Sequence, residues 1–272
     1  MTALTDTPAV VPAVRARPPH RLTFAGQLRS EAVKFATVRS TWWSIGITVV
    51  LTIGIALLLA ATVSGHMDRP IMVAVAPIQF TMLLAGILGA ITVTGEYSTG
   101  MIRSTLTANP IRGSVLAAKA IVVGGLMFVI GFVTFLLGAL VSMPILAAKD
   151  ITLDWASGAG VWLPLLAASF ALTMCTLLGV GLGFAIRSGA GTIAAVVGIL
   201  FVLPVVTSMF PPEGSWSWVS KLGHYLPMTA SQDLILPSDY SHLSAGVAFL
   251  TLCAWAAVAL GAAWGSVRTR DA

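Results

Sequence analysis

Long apolar runs separated by short polar segments form the dominant pattern of this chain. Roughly 20 consecutive apolar residues are enough to cross a bilayer as an α-helix. Six runs reach that length, and they cover approximately residues 44–64, 71–94, 118–143, 160–186, 192–210 and 245–266. We therefore expect an all-α integral membrane protein with six transmembrane helices. Pro144 is expected to end the third and Arg187 the fourth, with residues 211–245 as the longest loop.

A shorter amphipathic segment precedes the first run, at residues 22–40. Its apolar side chains recur at steps of three and four, at Phe24, Leu28, Ala32, Phe35 and Val38. The polar residues of this segment fall mostly off that stripe, and they include Arg29, Ser30, Lys34 and Arg39. The pattern predicts an N-terminal helix that lies in the membrane interface. Residues 1–21 are rich in proline and predict a disordered cytoplasmic tail, which leaves 22–272 as one six-span domain.

The composition supports a membrane protein and excludes several other classes. Hydrophobic residues make up 57% of the 272 residues and charged residues only 9%, whereas a soluble domain carries about 25% charged residues. The net charge is +5. The charged residues lie between the apolar runs, which indicates a role in membrane topology and not in nucleic-acid binding. Cys175 and Cys253 fall inside predicted spans, which suits packing and not a disulfide or a zinc site.

The distribution of basic residues predicts the orientation in the membrane. Twelve of the 15 Lys and Arg residues precede span one, follow span six, or lie in the loops between spans two and three and between spans four and five. The other three are Arg69, Lys149 and Lys221. Because loops rich in Lys and Arg stay in the cytoplasm, both termini are expected to be cytoplasmic in a multi-pass protein of the cell membrane.

Chemistry-bearing motifs are scarce. No ionisable residue is expected inside the spans as drawn, so no proton or catalytic pathway is evident. The sequence has no P-loop, H-E-x-x-H or G-x-S-x-G motif, and we expect no enzyme activity, cofactor or metal. His224 and His242 share the last outer loop with Asp233 and Asp239, and a solvated loop is favoured over a metal site. The G-x-x-x-G spacings at 179–183 and 261–265 favour packing within one subunit over a dimer contact.

The segment between spans two and three is amphipathic, and it reads "TVTGEYSTGMIRSTLTANPIRGSVLAAK" from Thr92 to Lys119. As a helix from Glu96, it places Glu96 at the positive end of the helix dipole. Asn109 and Pro110 should end this helix, and Ser114 should cap the next one. One stripe of the helix is formed by Tyr97, Met101, Ile102, Thr105 and Leu106. The segment is either a simple reversal of the chain or a lever for a cytoplasmic motor.

This segment resembles the part of ABC-2 type transporter permeases that follows their second span. The resemblance lies in an acidic residue followed by Gly, an apolar position, Leu, Pro, Arg and Lys, here Glu96, Gly100, Met101 or Ile102, Leu106, Pro110, Arg112 and Lys119. The N-terminal "LRSEAVKFATVRSTWW" is similar to the helix that precedes span one in that family, with Glu31, Lys34, Arg39 and Trp42. The stretch "HYLPMTASQDL" also fits.

The resemblance implies a permease subunit of an ATP-driven transporter, usually an exporter. Two six-helix subunits, identical or different, would pair in the bilayer around a path lined by spans one, two and five. A separate ABC ATP-binding subunit would contact the coupling helix between spans two and three. The residues implied in that contact are Glu96, Tyr97, Gly100, Met101, Ile102, Arg103, Leu106, Pro110 and Arg112. The substrate stays open.

Two other classes of protein share the six-span pattern. A non-transporting membrane component, such as a sensor or an assembly factor, would need no motor. A membrane enzyme of lipid metabolism would need polar residues clustered at one interface, and the scattered outer acidic residues form no such cluster. A neighbouring gene for a P-loop ATPase would favour the transporter.

Overall fold

The protein is described here by a computed structural model of residues 23–269, without His66, 109–110 and 239–240 and without the side chains of Leu106 and Ala108. The predicted tail at 1–21 lies outside these residues. Every regular element in the described part of the chain is a helix. The predicted all-α class is therefore confirmed.

Six helical segments are long and apolar enough to cross a membrane, which confirms the predicted number of spans. They are Arg39–Thr62, Met72–Ser98, Arg112–Ala147, Gly158–Ile186, Gly189–Ser208 and Ala245–Thr269. We call them spans one to six. The protein is therefore a multi-pass membrane protein by the length and composition of its helices.

Twelve α-helices are defined by the described residues, and some spans contain more than one. They are α1 Phe24–Thr37, α2 Arg39–Thr62, α3 Met72–Val75, α4 Ile78–Ser98, α5 Met101–Ala108, α6 Arg112–Ala147, α7 Leu163–Ile186, α8 Gly189–Val197, α9 Leu203–Ser208, α10 Ser217–Gly223, α11 Pro227–Ile235 and α12 Ala245–Thr269. Span two combines α3 and α4. A π-helical turn at Gly158–Trp162 opens span four, and another at Gly198–Val202 joins α8 to α9 in span five.

Span three is longer than its apolar run predicts. The helix begins at Arg112 and passes through Pro144 to Ala147, so the prediction that Pro144 ends it is wrong. A proline removes one backbone donor, but a membrane helix tolerates it where neighbouring groups satisfy the freed carbonyl. The chain leaves the helix after Ala148, and Asp150 adopts a left-handed conformation with φ of 60°.

Span four forms the centre of the bundle, with 72% of its most apolar window buried. It packs closely on span two because both helices carry glycines at the contact. A Cβ atom on Gly179 would overlap the carbonyl of Gly86, and one on Gly183 would come within 2.9 Å of Val93. The G-x-x-x-G pair at 179–183 therefore packs within one subunit, as expected. A Cβ on Gly261 would meet nothing within 4 Å, so that motif leaves an open face.

Arg187 ends span four as predicted. It is the C-cap of α7 and adopts a left-handed conformation with φ of 61°. Its guanidinium donates to the carbonyl oxygen of Ser266 at 2.9 Å and lies 5.5 Å from the centre of the Tyr97 ring. Arg112 similarly donates to the carbonyl of Val267 at 3.0 Å. These contacts join the ends of spans two, three, four and six at one end of the bundle, which also carries α1 and α5 and which we call the α5 end.

Candidate functional site

Glu96 lies in the last turn of span two and not at the start of the following helix, α5. Helix α4 continues to Ser98, and Gly100 then adopts φ of +71° before α5 begins at Met101. The prediction of one helix from Glu96 is therefore wrong. Glycine enters the left-handed region without a steric penalty, so Gly100 is the natural break between the two helices. Since Glu96 is near the C-terminus of α4, it cannot stabilise a helix N-terminus.

Helix α5 is described as far as Ala108, and the predicted stop at Asn109 and Pro110 lies outside the described residues. The next helix is not capped as expected. Its N-cap is Ile111, with no side-chain cap, and the Ser114 hydroxyl donates to the carbonyl of Ile111 at 2.6 Å. The prediction that Ser114 caps this helix is wrong because a cap must accept a hydrogen bond from a backbone N–H.

Four charged side chains from three helices meet beside α5. The Nζ of Lys119 in span three lies 2.6 Å from Oε2 of Glu31 in α1 and 2.8 Å from Oε1 of Glu96 in span two. The Nζ of Lys34 lies 2.8 Å from Oε1 of Glu31 and 3.2 Å from Oε1 of Glu96. We call these four residues the charge cluster. Each ammonium contacts both carboxylates, so the cluster links α1, span two and span three.

Three members of the charge cluster are buried, and Lys34 is partly exposed. The relative exposure is 6% for Glu31, 4% for Glu96 and 3% for Lys119. The expectation that the spans contain no ionisable residue is therefore wrong, because Glu96 and Lys119 belong to span helices. Two acidic and two basic groups cancel in charge, and such pairing is what allows charged groups to be buried. The argument against a proton pathway relied on that expected absence of ionisable residues, so it no longer holds.

The buried face of α1 combines a charged residue with only part of the predicted apolar stripe. Glu31 and Phe35 are its buried residues, whereas Phe24 and Val38 are exposed. The helix packs against span three, and Lys34 lies on the inward side. The sequence signal for this was the Glu31–Lys34 spacing of three, which places both side chains on one helical face.

The cluster controls the ionisation of Glu31 and Lys34, which lie outside the spans. Burial alone would raise the pKa of Glu31, but Lys119 and Lys34 outweigh it and hold that pKa below its ordinary value. Burial alone would lower the pKa of Lys34, but Glu31 and Glu96 outweigh it and raise that pKa. Both groups therefore stay charged at neutral pH.

Helix α5 is attached to this cluster. Lys34 donates to the Thr105 hydroxyl at 3.3 Å, and Ile102 is buried in the main hydrophobic core. The opposite face of α5 is exposed and carries Met101, Arg103, Ser104 and Thr107. One face of this short helix is thus fixed to the bundle, and the other is open.

The structure separates the residues implied in a partner contact into three groups. Glu96 and Ile102 are buried within the chain, so they do not offer an exposed surface. Tyr97 and Arg112 are partly buried, and the Tyr97 ring packs edge-on to Phe184. Exposed positions are Gly100, Met101 and Arg103. The Leu106 side chain and Pro110 lie outside the described part.

At the opposite end of the bundle, the rings of His224 and His242 lie tilted at 35° to each other with centroids 3.7 Å apart. Asp233 accepts a hydrogen bond from the Leu243 backbone at 3.0 Å. The residues with described positions contain no set of three side chains placed to hold a metal ion.

Comparison with known proteins adds no relative. No family model and no curated protein matches the chain. The functional proposal below therefore rests on the residues and their geometry.

Proposed function

We propose that this chain is the permease subunit of an ATP-driven transporter of the ABC-2 type. The observation that carries the proposal is helix α5, a short helix held between spans two and three and tied to α1 through the charge cluster. The sequence resemblance at residues 92–119 supports the same assignment. The energy would come from a separate ABC ATP-binding subunit, because this sequence contains no P-loop.

The attachments of α5 suit it to pass on a displacement. It follows span two after a turn of two residues, and span three begins at Arg112. Lys34 joins its Thr105 to α1. Separating one member from a buried ion pair costs about 3–5 kcal/mol, so the cluster resists independent motion of its helices. A push on α5 would therefore move α1 and both spans together.

The exposed face of α5 is the proposed contact for the ATPase. Met101 and Arg103 stand on it, and a helix of this kind can dock in a groove through anchors at one face. The basic residues of α1, α5 and the adjoining span ends support a cytoplasmic position for this end, where an ATPase would have access to ATP.

The least buried spans suit pairing with a second permease subunit. Only 17% of the apolar window of span five is buried, and 28% of that of span one and of span six. A monomer would present these apolar faces to lipid, and a pair of subunits, identical or different, could enclose a path between them. Export is the direction that the resemblance favours, and the substrate stays open.

The experiment is co-purification with any P-loop ATPase that a neighbouring gene encodes, together with measurement of ATP hydrolysis. Arg103→Glu reverses a charge on the exposed face of α5, and we expect it to weaken recovery of the ATPase by tenfold or more, roughly the effect of losing an interface hot spot. The matched control is Arg29→Glu, a reversal at an exposed position of α1.

The control should retain the ATPase and its stimulated hydrolysis. If Arg103→Glu also retains both, α5 only reverses the chain and the coupling proposal fails. If wild-type protein recovers no ATPase, the non-transporting alternative, a sensor or an assembly factor, is favoured instead.

A further inference from the structure

A cavity of about 290 Å³ adjoins the charge cluster, between α1, the start of span one, the last turns of span two and the start of span three. All four cluster residues line it, together with Val38 and Ile91. Ligand cavities in proteins range from roughly 300 to 1,000 Å³. This volume is therefore suited to a small polar group and not to a drug-sized molecule.

The hydrogen bonds of the cluster leave one carboxylate oxygen without a donor. Oε1 of Glu96 accepts from both Lys34 and Lys119. Oε2 of Glu96 is buried and accepts from no residue that the structure describes. A buried charged acceptor without a donor is costly, so this oxygen calls for an N–H or O–H group from outside the chain.

Among the described contacts of the cluster, one N–H group of Lys119 has no assigned acceptor. Lys34 uses its three N–H groups on Glu31, Glu96 and Thr105. Lys119 contacts two carboxylates, and an ammonium has three N–H groups. The residues that line the cavity therefore include Glu96, whose buried Oε2 has no donor among the described residues, and Lys119, whose described ion pairs engage two carboxylates, within a set of residues whose charges cancel.

The cavity wall changes from polar to apolar toward the lipid-facing side. Ile91 is 42% exposed and Val38 is also exposed, and both belong to the rim. The site lies near the ends of spans one, two and three, and helices of this length are expected to place their ends near the lipid headgroups. Basic pockets between membrane helices on the cytoplasmic side bind lipid headgroups, and Lys34 and Lys119 supply basic groups to this cavity.

We propose that this cavity binds the headgroup of phosphatidylethanolamine, with its primary ammonium donating to Oε2 of Glu96 and its phosphate accepting from Lys119. The acyl chains would leave along Ile91 into the bilayer. A neutral cluster suits this zwitterionic headgroup better than an anionic one. Phosphatidylcholine fits poorly because its trimethylammonium group has no N–H to donate.

The test is native mass spectrometry of the purified full chain in detergent. It is titrated separately with phosphatidylethanolamine, phosphatidylcholine and phosphatidylglycerol that carry the same acyl chains. Since a hydrogen bond to a charged group is worth enough to shift affinity about tenfold or more, we expect phosphatidylethanolamine to bind at least about tenfold more tightly. Equal binding of the three lipids would show that Oε2 of Glu96 pairs with water alone, and would overturn the proposal.

Two variants locate the binding site. Ile91→Trp should close the rim without changing the cluster, and it should abolish the preference for phosphatidylethanolamine. Ile121→Trp is the matched control, because Ile121 is 56% exposed on span three and does not line the cavity. Glu96→Gln should reduce the preference as well. If Ile91→Trp keeps the full preference, the lipid binds elsewhere and the proposal is wrong.

A soluble competitor separates a lipid site from a site for a free metabolite with the same headgroup. Free phosphoethanolamine should fail to displace the lipid at an equal concentration, because it lacks acyl chains to lie along the rim. Displacement at equal concentration would show that the site recognises the soluble compound, and would overturn the assignment to a membrane lipid.

Discussion

The ammonium of Lys119 in span three lies 2.8 Å from Oε1 of Glu96 in span two, and it also contacts Glu31 in α1 at 2.6 Å. One side chain thus bridges two acidic groups that are 65 residues apart in the chain. Because these groups are buried, each depends on the others for its charge to be compensated. The charge cluster therefore has consequences for stability and for acid sensitivity that separate experiments can measure.

Removing one charge from the cluster should destabilise the protein strongly. Lys119→Met leaves Glu31 and Glu96 with only Lys34 between them, and we expect a loss of about 3–5 kcal/mol in the free energy of unfolding. Denaturant unfolding in micelles measures it. Arg103→Met is the control, because Arg103 is exposed and such changes usually stay within about 0.5 kcal/mol. Similar stabilities for both variants would contradict a buried, interdependent cluster.

Acid should abolish the contribution of Glu31. Its pKa in the folded protein lies below the ordinary value of 4.5, so its ionised form is favoured by folding. The stabilisation is present above pH 4.5 and is lost as the pH falls through the lower folded pKa. We therefore expect wild type to be more stable than Glu31→Gln at neutral pH, with the difference shrinking below pH 4.5. A difference that is constant with pH would mean that the charge of Glu31 contributes nothing.

The helical spans were predictable because hydropathy is a local property. Each run of apolar residues indicates a span without knowledge of its neighbours, and Arg187 marks a helix end through short-range chemistry. The exact ends of the helices were harder to predict from the sequence. Span three extends beyond its apolar run at Arg112 and through Pro144, since membrane helices continue wherever backbone groups are satisfied.

The charge cluster was not predictable from the sequence pattern. Glu96 and Lys119 fall at the polar ends of apolar runs, where a charged residue is ordinarily expected to face water or lipid headgroups. Their pairing depends on how α1 packs on span three, which is a long-range contact. Only the spacing of Glu31 and Lys34 hinted at a shared face. The resemblance named Glu31, Lys34, Glu96 and Lys119, but it did not place them together.

The contact between spans two and four should tolerate no added methyl group. Gly179→Ala would place a Cβ atom against the carbonyl of Gly86, and we expect a loss of about 1–3 kcal/mol as the helices move apart. Gly261→Ala meets nothing within 4 Å and should be neutral in the monomer. The two variants are compared by measuring their free energies of unfolding in the same detergent. Equal loss would place the tight contact elsewhere, and loss of dimer with Gly261→Ala would assign that open face to a second subunit.

Labelling with a membrane-impermeant thiol reagent tests the orientation. In a background where Cys175 and Cys253 are replaced by Ala, a cysteine at the exposed position Ser238 should react in intact cells, and one at Ser104 should react only after lysis. The expectation follows from the excess of Lys and Arg at the α5 end. Labelling of Ser104→Cys in intact cells would reverse the topology and exclude a cytoplasmic ATPase as its partner.

Transmission from α5 should depend on the Thr105 hydroxyl, separately from docking of the ATPase. Thr105 accepts from Lys34 at 3.3 Å, whereas the Thr107 hydroxyl bonds only to carbonyls of its own helix, at Arg103 and Ser104. Thr105→Val and Thr107→Val remove the same hydroxyl and keep nearly the same volume. A hydrogen bond to a charged donor contributes about 1.5–3 kcal/mol, so Thr105→Val should loosen the link between α5 and the charge cluster.

We expect Thr105→Val to co-purify with the ATPase as well as wild type does, because the exposed face of α5 is unchanged. Substrate-stimulated ATP hydrolysis should nevertheless fall several-fold, while Thr107→Val keeps it. Both readouts come from one reconstituted preparation, so a folding defect would show as reduced recovery of the ATPase together with reduced hydrolysis. Normal stimulation with Thr105→Val would mean that the Lys34–Thr105 hydrogen bond does not carry the motion, and that spans two and three alone connect α5 to the bundle.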